Sequence, residues 1–153
     1  SQNIGAKQFK RAREGTRITI LQTLAITGVI AVAIFVFAAP SVALFTGDPE
    51  VIHWGTTFLR VNVFFMLFNC VNHVLAGSLR GRGDSKAPMV IMLTGFVAIR
   101  QTYLFFMTRF ISNTPITVGL GYPVGWVATC IMEVLYYFNR QKIYALEEQA
   151  VTN

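Results

Sequence analysis

Four apolar runs divide the chain, at residues 18–45, 57–78, 89–108 and 122–138. Each reaches or approaches the ~20 residues a helix needs to cross about 30 Å of hydrocarbon. Backbone groups in lipid find no water to bond, so only helices and closed barrels span a bilayer. The runs are far longer than the ~10-residue alternating strands of a barrel. The pattern therefore predicts an all-α fold: a polytopic membrane helical bundle with four transmembrane helices.

Breakers separate the runs. Pro40 predicts an end or kink near the close of the first run, because its ring clashes with the preceding turn. Phe45-Thr46-Gly47-Asp48-Pro49-Glu50 reads as a break, and Val51–Trp54 as an interfacial turn with Trp54 at headgroup level. Residues 113–121 carry Pro115, Gly119 and Gly121 and read as a loop. Pro123 falls in the first turn of the last run, where a missing N–H costs little.

Composition agrees with lipid as the solvent. The 153 residues are 54% hydrophobic and 13% charged, about half the charged share of a soluble domain. Charge then predicts orientation. Lys7, Lys10, Arg11, Arg13 and Arg17 precede the first run, Arg80, Arg82 and Lys86 lie between the second and third, and Arg140 and Lys142 follow the fourth. The opposite loops hold Arg109 with Asp48 and Glu50. Ten cations against one predict that both termini and the Arg80–Lys86 turn are cytoplasmic, in a multi-pass protein of the plasma (inner) membrane. The organisation that follows is a basic cytoplasmic linker at 1–17, a membrane segment at 18–139 and a cytoplasmic tail at 140–153. Residues 7–14 read equally well as a helix along the membrane plane or a solvated linker. The opening Ser1-Gln2-Asn3, with no initiator Met, predicts a fragment.

The net charge of +6 raises nucleic acid as a partner. Cations bordering apolar runs are better explained by topology and by contact with anionic membrane lipids, so no nucleic acid is expected. Cys70 and Cys130 sit inside runs with no metal-ligand spacing around them and are expected to pack as small apolar groups.

One polar joint is worded closely enough to suggest a family. Leu79-Arg80-Gly81-Arg82-Gly83-Asp84-Ser85-Lys86-Ala87-Pro88 resembles the L-R-G-x-G-D-[ST]-K-x-P turn of the multidrug and toxic compound extrusion family. Gln2-Asn3-Ile4-Gly5-Ala6-Lys7, followed by Ala12-Arg13, is similar to that family's Q-x-x-G-A linker. Val97-Ala98-Ile99-Arg100 resembles its W-x-x-R helix, without the Trp and the following Pro. The resemblance implies part of the second six-helix lobe of a twelve-helix fold, with eight amino-terminal helices as partners. It also implies export of organic, often cationic compounds against Na⁺ or H⁺ as coupling ion, with no cofactor. Several family members carry a membrane-buried Asp ten residues before the Leu of the turn; here that position is Asn69, which cannot release a proton.

Polar groups in lipid are costly and face a bundle interior or a cavity. Asn62, Asn69, Asn72 and His73 recur at helical spacing in the second run. They read as a cavity strip or as interhelical hydrogen bonds, worth about 0.6 kcal/mol each. Arg100 falls about 18 Å into the third run, at 1.5 Å per residue, and needs a partner. Glu133, the one acid within the runs, is the candidate, although their depths differ by roughly 9 Å. Arg60, near a run end, is expected to snorkel. Phe64, Phe65, Phe68, Phe96, Tyr103, Phe105 and Phe106 suit either a pocket for flat cations or lipid contact. Tyr136 and Tyr137 suit the inner aromatic belt. The expected cavity residues are Asn69, Asn72, His73, Arg100 and Tyr103. The expected structural turn is Arg80, Gly81, Gly83, Asp84, Lys86 and Pro88, with Asp84 accepting backbone bonds or pairing with Arg80 or Lys86.

Other signals are weaker. Arg82-Gly83-Asp84-Ser85 spells a cell-adhesion tetrapeptide, but the charge rule places it inside the cell. Gly77-x-x-x-Gly81 and Gly121-x-x-x-Gly125 match a helix-packing pattern but lie at run ends. No phosphate-binding loop, catalytic triad or carboxylate pair appears, so an enzyme is not expected. The competing expectation is a free-standing four-helix membrane protein that scaffolds or binds partners.

Overall fold

The computed structural model describes the backbone of residues 1–152 and the side chains of residues 1–145. The order is α1 (Gln2–Gly5), α2 (Phe9–Val36), α3 (Ala38–Ala43), α4 (Pro49–Val63), α5 (Met66–Gly81), α6 (Lys86–Leu93), α7 (Arg100–Phe106), α8 (Pro115–Gly119) and α9 (Gly121–Thr152). Two π-helical stretches, Thr94–Ile99 and Met107–Ile111, join and extend α6 and α7. No strand occurs among the described residues.

All five prolines lie in a helical first turn: Pro40 in α3, Pro49 in α4, Pro88 in α6, Pro115 in α8 and Pro123 in α9. First-turn N–H groups have no intrahelical acceptor, so the missing donor costs nothing there. Pro40 also sets the break at Phe37, since its ring would collide with the carbonyl of Val36 four residues back. Asp48 caps α4 by accepting the Glu50 N–H at 2.9 Å.

Phe9–Val36, Lys86–Ile111 and Pro115–Ala145 are long and apolar enough to cross a membrane. The pair α4–α5, bent by 45° at its break, is long and apolar enough only when its two helices are taken together, which makes three to four candidate spans. This is the predicted multi-pass helical bundle, with shifted boundaries. The first run breaks at Phe37 into α2 and α3. The second begins at Pro49 and bends, so Val51–Trp54 belong to α4 rather than to an interfacial turn. The expected loop at 113–121 holds α8, capped by the Thr114 hydroxyl. Residues 9–17 continue α2 without a break, and are neither a linker nor a separate in-plane helix. The expected tail at 140–153 is a continuation of α9 as far as Thr152, with Asn153 and the side chains beyond residue 145 outside the described residues.

Helix α9 is the hub. Its largest packing surface is against α5, followed by the π-helical stretch Thr94–Ile99 and α7. The crossing with that π stretch rests on two glycines. A Cβ on Gly95 would collide with the Thr129 hydroxyl, and a Cβ on Gly125 would sit 3.2 Å from the Gly95 carbonyl oxygen. Gly121 packs just as closely on Leu104. The Gly121-x-x-x-Gly125 pattern is therefore a true packing face, whereas Gly77 meets nothing. Helix α2 packs on the other side of α5, and α3 on α4.

A polar groove, a buried seam and a clamped elbow

The bend between α4 and α5 divides the predicted polar strip among three environments. Asn62 is buried in α4, its side-chain N–H donating to the Phe58 carbonyl at 2.9 Å. Asn72 is fully buried in the seam of α5 and α9, and its amide donates to the Trp126 carbonyl at 3.2 Å. Asn69 is half-buried, and its Oδ1, like that of Asn72, is shielded with no hydrogen-bond partner among the described residues. His73, one residue on from Asn72 and about 100° round the helix, is exposed.

His73 lines a groove of about 570 Å³ between α2 and α5. The α2 wall is a stripe of small and hydroxyl residues, among them Gly15, Thr16, Thr19 and Thr23. The α5 wall adds Cys70, Gly77 and Ser78. Two contacts hold the walls together: Thr16 Oγ1 with Ser78 Oγ, and Thr27 Oγ1 with Cys70 Sγ, both at 3.1 Å. Small side chains leave the volume; its surface is mostly apolar, with the Thr and Ser hydroxyls and His73 as the polar points along it. The sequence reading missed this wall, although Thr16, Thr19, Thr23 and Thr27 repeat at three- and four-residue intervals on one helix face.

Arg100 and Tyr103 lie elsewhere, at the far end of α9. The Arg100 guanidinium stacks 3.9 Å from the centroid of the Tyr122 ring. Tyr122 in turn meets Phe58 and Trp126 at 6.1 and 5.9 Å. The Tyr103 hydroxyl donates to the Thr117 carbonyl at 3.3 Å. The expected pairing of Arg100 with Glu133 does not form. Glu133 follows Tyr122 by eleven residues on α9, about 17 Å along the axis. The glycine crossing sets this register, and it brings Arg100 onto an aromatic ring instead of a carboxylate. Arg60 donates from Nε to the Phe35 carbonyl at 3.3 Å and covers the Phe35 ring, so it caps the end of α2 rather than simply snorkelling. Of the two readings open for the aromatics, Phe105 and Phe106 follow the lipid-facing one, forming a ring cluster with Phe110 on the exterior.

The elbow between α5 and α6 explains the wording of its sequence. Gly83 takes φ +91°, the left-handed residue that ends α5. The Gly83 N–H donates to the Arg80 carbonyl at 3.0 Å, and the Asp84 N–H to the Leu79 carbonyl at 3.1 Å. Leu79 and Pro88 are fully buried and anchor the two arms. Asp84 accepts the Ala87 N–H at 3.4 Å, as expected, but its side-chain partners come from α9. They are the Tyr136 hydroxyl at 2.6 Å and Arg140 Nε at 3.4 Å, not Arg80 or Lys86. Arg80 turns instead to Met92, with Nη2 3.7 Å from the sulfur. The Tyr136 hydroxyl is the largest influence on the Asp84 carboxyl. It outweighs desolvation and, with the Ala87 N–H and Arg140, holds the group below the ordinary carboxylate range.

The comparisons with known proteins agree with this arrangement. The family profile described as MatE matches residues 1–104. The probable multidrug resistance protein NorM of Halalkalibacterium halodurans is 31% identical over 139 residues, 91% of this chain and 30% of that protein. YoeA of Bacillus subtilis, also named a probable multidrug resistance protein, is 23% identical over 90% of this chain and 30% of its own length. YpnP of the same organism, likewise a probable multidrug resistance protein, is 28% identical over 95% of this chain and 32% of its own length. The chain thus spans about a third of these relatives. No solved structure gives a significant match. With a helical multi-pass architecture, the turn motif in its clamped elbow and a profile match across two thirds of its residues, the chain belongs to the MatE family.

Proposed function

We propose that this chain forms part of the membrane bundle of a multidrug exporter that exchanges organic, often cationic, compounds for Na⁺ or H⁺. The observation that carries the reading is the groove between α2 and α5, where the exposed His73 stands among the Thr16, Thr19, Thr23 and Ser78 hydroxyls of two helices that belong to membrane-spanning segments. An ionisable side chain at such a place in a spanning helix faces a bundle interior or a water-filled path rather than lipid. His73 is its best-placed polar side chain for substrate or ion contact, while Asn69, half-buried one turn before it on α5, lies outside the groove lining. Asn72, Arg100 and Tyr103 lie outside it and hold α5 and α7 against α8 and α9. The remaining helices of the exporter complete the cavity, and alternating access follows from rocking the two lobes, with drug and ion each favouring one state. The chain lies in the plasma membrane with its termini and elbow in the cytoplasm, as the ten-to-one charge asymmetry supports.

Dye efflux from proteoliposomes holding the full-length protein tests the reading. His73→Ala and Asn69→Ala are expected to slow efflux while protein yield and melting temperature stay near wild type. Unchanged efflux in His73→Ala would remove the groove from the transport path, and unchanged efflux in Asn69→Ala would remove that residue. A wild-type protein that moves no organic cation would end the exporter proposal.

A further inference from the structure

Among the described residues, Glu133 is the one acid placed wholly inside the bundle. Its side chain is 0% exposed. Neither carboxyl oxygen has a hydrogen-bond partner among the described residues. It continues the buried ridge Gly121, Gly125 and Thr129, each four residues apart on α9. An ionised carboxylate with no donor in such a place would cost far more than a helix seam can supply, and such groups neutralise instead.

Charged and titratable groups near it are few. Arg80 on α5 is the cation whose field reaches Glu133. Its guanidinium rests on Met92 rather than on the acid. Cys130 is the nearest titratable neighbour on α9 itself. Tyr136, one turn nearer the elbow, is held by Asp84 beside Arg140. Arg100 on α7 is at the far end over Tyr122, and Lys86 on α6 is exposed at the elbow. Arg13 and Arg17 of α2 line a separate groove against the outer side of α9.

We infer that Glu133 is a proton-binding site of this lobe, loaded while α9 is packed on α5 and unloaded when that seam opens to water. This rests on the exporter reading and supplies a proton site where Asn69 offers none. On opening, the carboxyl O–H bond breaks and the proton passes to water. The carboxylate left behind is met by Arg80 turning from Met92. On closing, a proton from water re-forms the O–H bond and the charge is lost before burial. The Tyr136–Asp84 bond, one turn away, is the latch whose release admits water.

Two measurements on the full-length protein in proteoliposomes decide it. Dicyclohexylcarbodiimide modifies protonated carboxyls in apolar sites. Peptide mass spectrometry is expected to find its adduct on Glu133, falling as pH rises and increasing when the latch is held shut. Glu133→Gln is expected to keep the fold but lose the pH dependence of dye efflux, and Glu133→Asp to retain it with a displaced profile. No adduct on Glu133 at any pH where the protein stays folded would overturn the proposal, as would wild-type pH dependence in Glu133→Gln. If wild-type protein exports no dye, the exporter reading fails, while the adduct still decides whether Glu133 binds a proton.

Discussion

Helices α2 and α9 obey opposite rules, and the contrast identifies the solvent. The α2 span has mean hydropathy 2.3, yet only Ala31 along its length is buried. The α9 span is less apolar, at 1.4, yet it is the most buried of the spans and carries Thr129 and Glu133 fully inside. In water the more apolar helix goes to the core. Here it goes outside, with Leu21, Ile26, Val29 and Val32 facing away from the bundle. Lipid takes these side chains as readily as a protein core would, so apolarity no longer selects the interior. What selects it is small residues that permit close approach and polar groups that need partners. Gly95, Gly125, Thr129 and Asn72 supply both to α9.

The contrast breaks most readily at the α2 surface. Ile26→Arg places a charge mid-span on the exposed face and should lower membrane insertion by about 3 kcal/mol. A glycosylation-based insertion assay reads this directly; a helix facing water would tolerate the change. Next is the glycine crossing. Gly95→Ala should destabilise the bundle by about 1–3 kcal/mol, because the added methyl meets the Thr129 hydroxyl and the helices must part. Gly28→Ala on α2 meets nothing and should be neutral or stabilising by up to about 1 kcal/mol. Thermal unfolding in detergent compares the two signs.

A smaller effect sits at the elbow. Asp84→Asn should cost about 1–2 kcal/mol by weakening the bonds from Tyr136 and Arg140. Its pH signature is distinctive. The Asp84 carboxyl is held below its ordinary range, so its contribution is fully present above the unfolded value near 3.9. That contribution is lost as pH falls through the lower folded value. Wild-type melting temperature should therefore drop in that acidic window, with the Asp84→Asn variant lacking this part of the drop. The smallest change is Asn72→Ala, which removes one interhelical bond to Trp126 and should cost about 0.6 kcal/mol.

The spans were legible because a bilayer demands long apolar runs whatever the tertiary contacts. Pro123 was legible as a first-turn proline, whereas Pro115, which marks a first turn in the same way, opened a helix inside an expected loop. Gly83 and Asp84 were legible as a turn. Their clamp was not, because Tyr136 and Arg140 lie 52 and 56 residues away and nothing local announces them. Arg100 was misjudged for a related reason. Opposite charges in lipid suggest a pair, but the register between Lys86–Ile111 and α9 is set by glycines at their crossing, and it delivers Tyr122. The groove's threonine stripe was present in the sequence at helical spacing and was passed over because single hydroxyls on an apolar helix also bond their own backbone. Thr16 and Thr19 do this as well.

The central claim is that lipid, not water, bathes the exposed face of α2 while the elbow meets the cytosol. Single cysteines at Val29 and Ser85, in a Cys70→Ala/Cys130→Ala background in sealed cells, test it with a membrane-impermeant maleimide. The account predicts no labelling at Val29 before or after permeabilisation, and labelling at Ser85 only after it. Labelling of Val29 in intact membranes, or of Ser85 from outside, would contradict it.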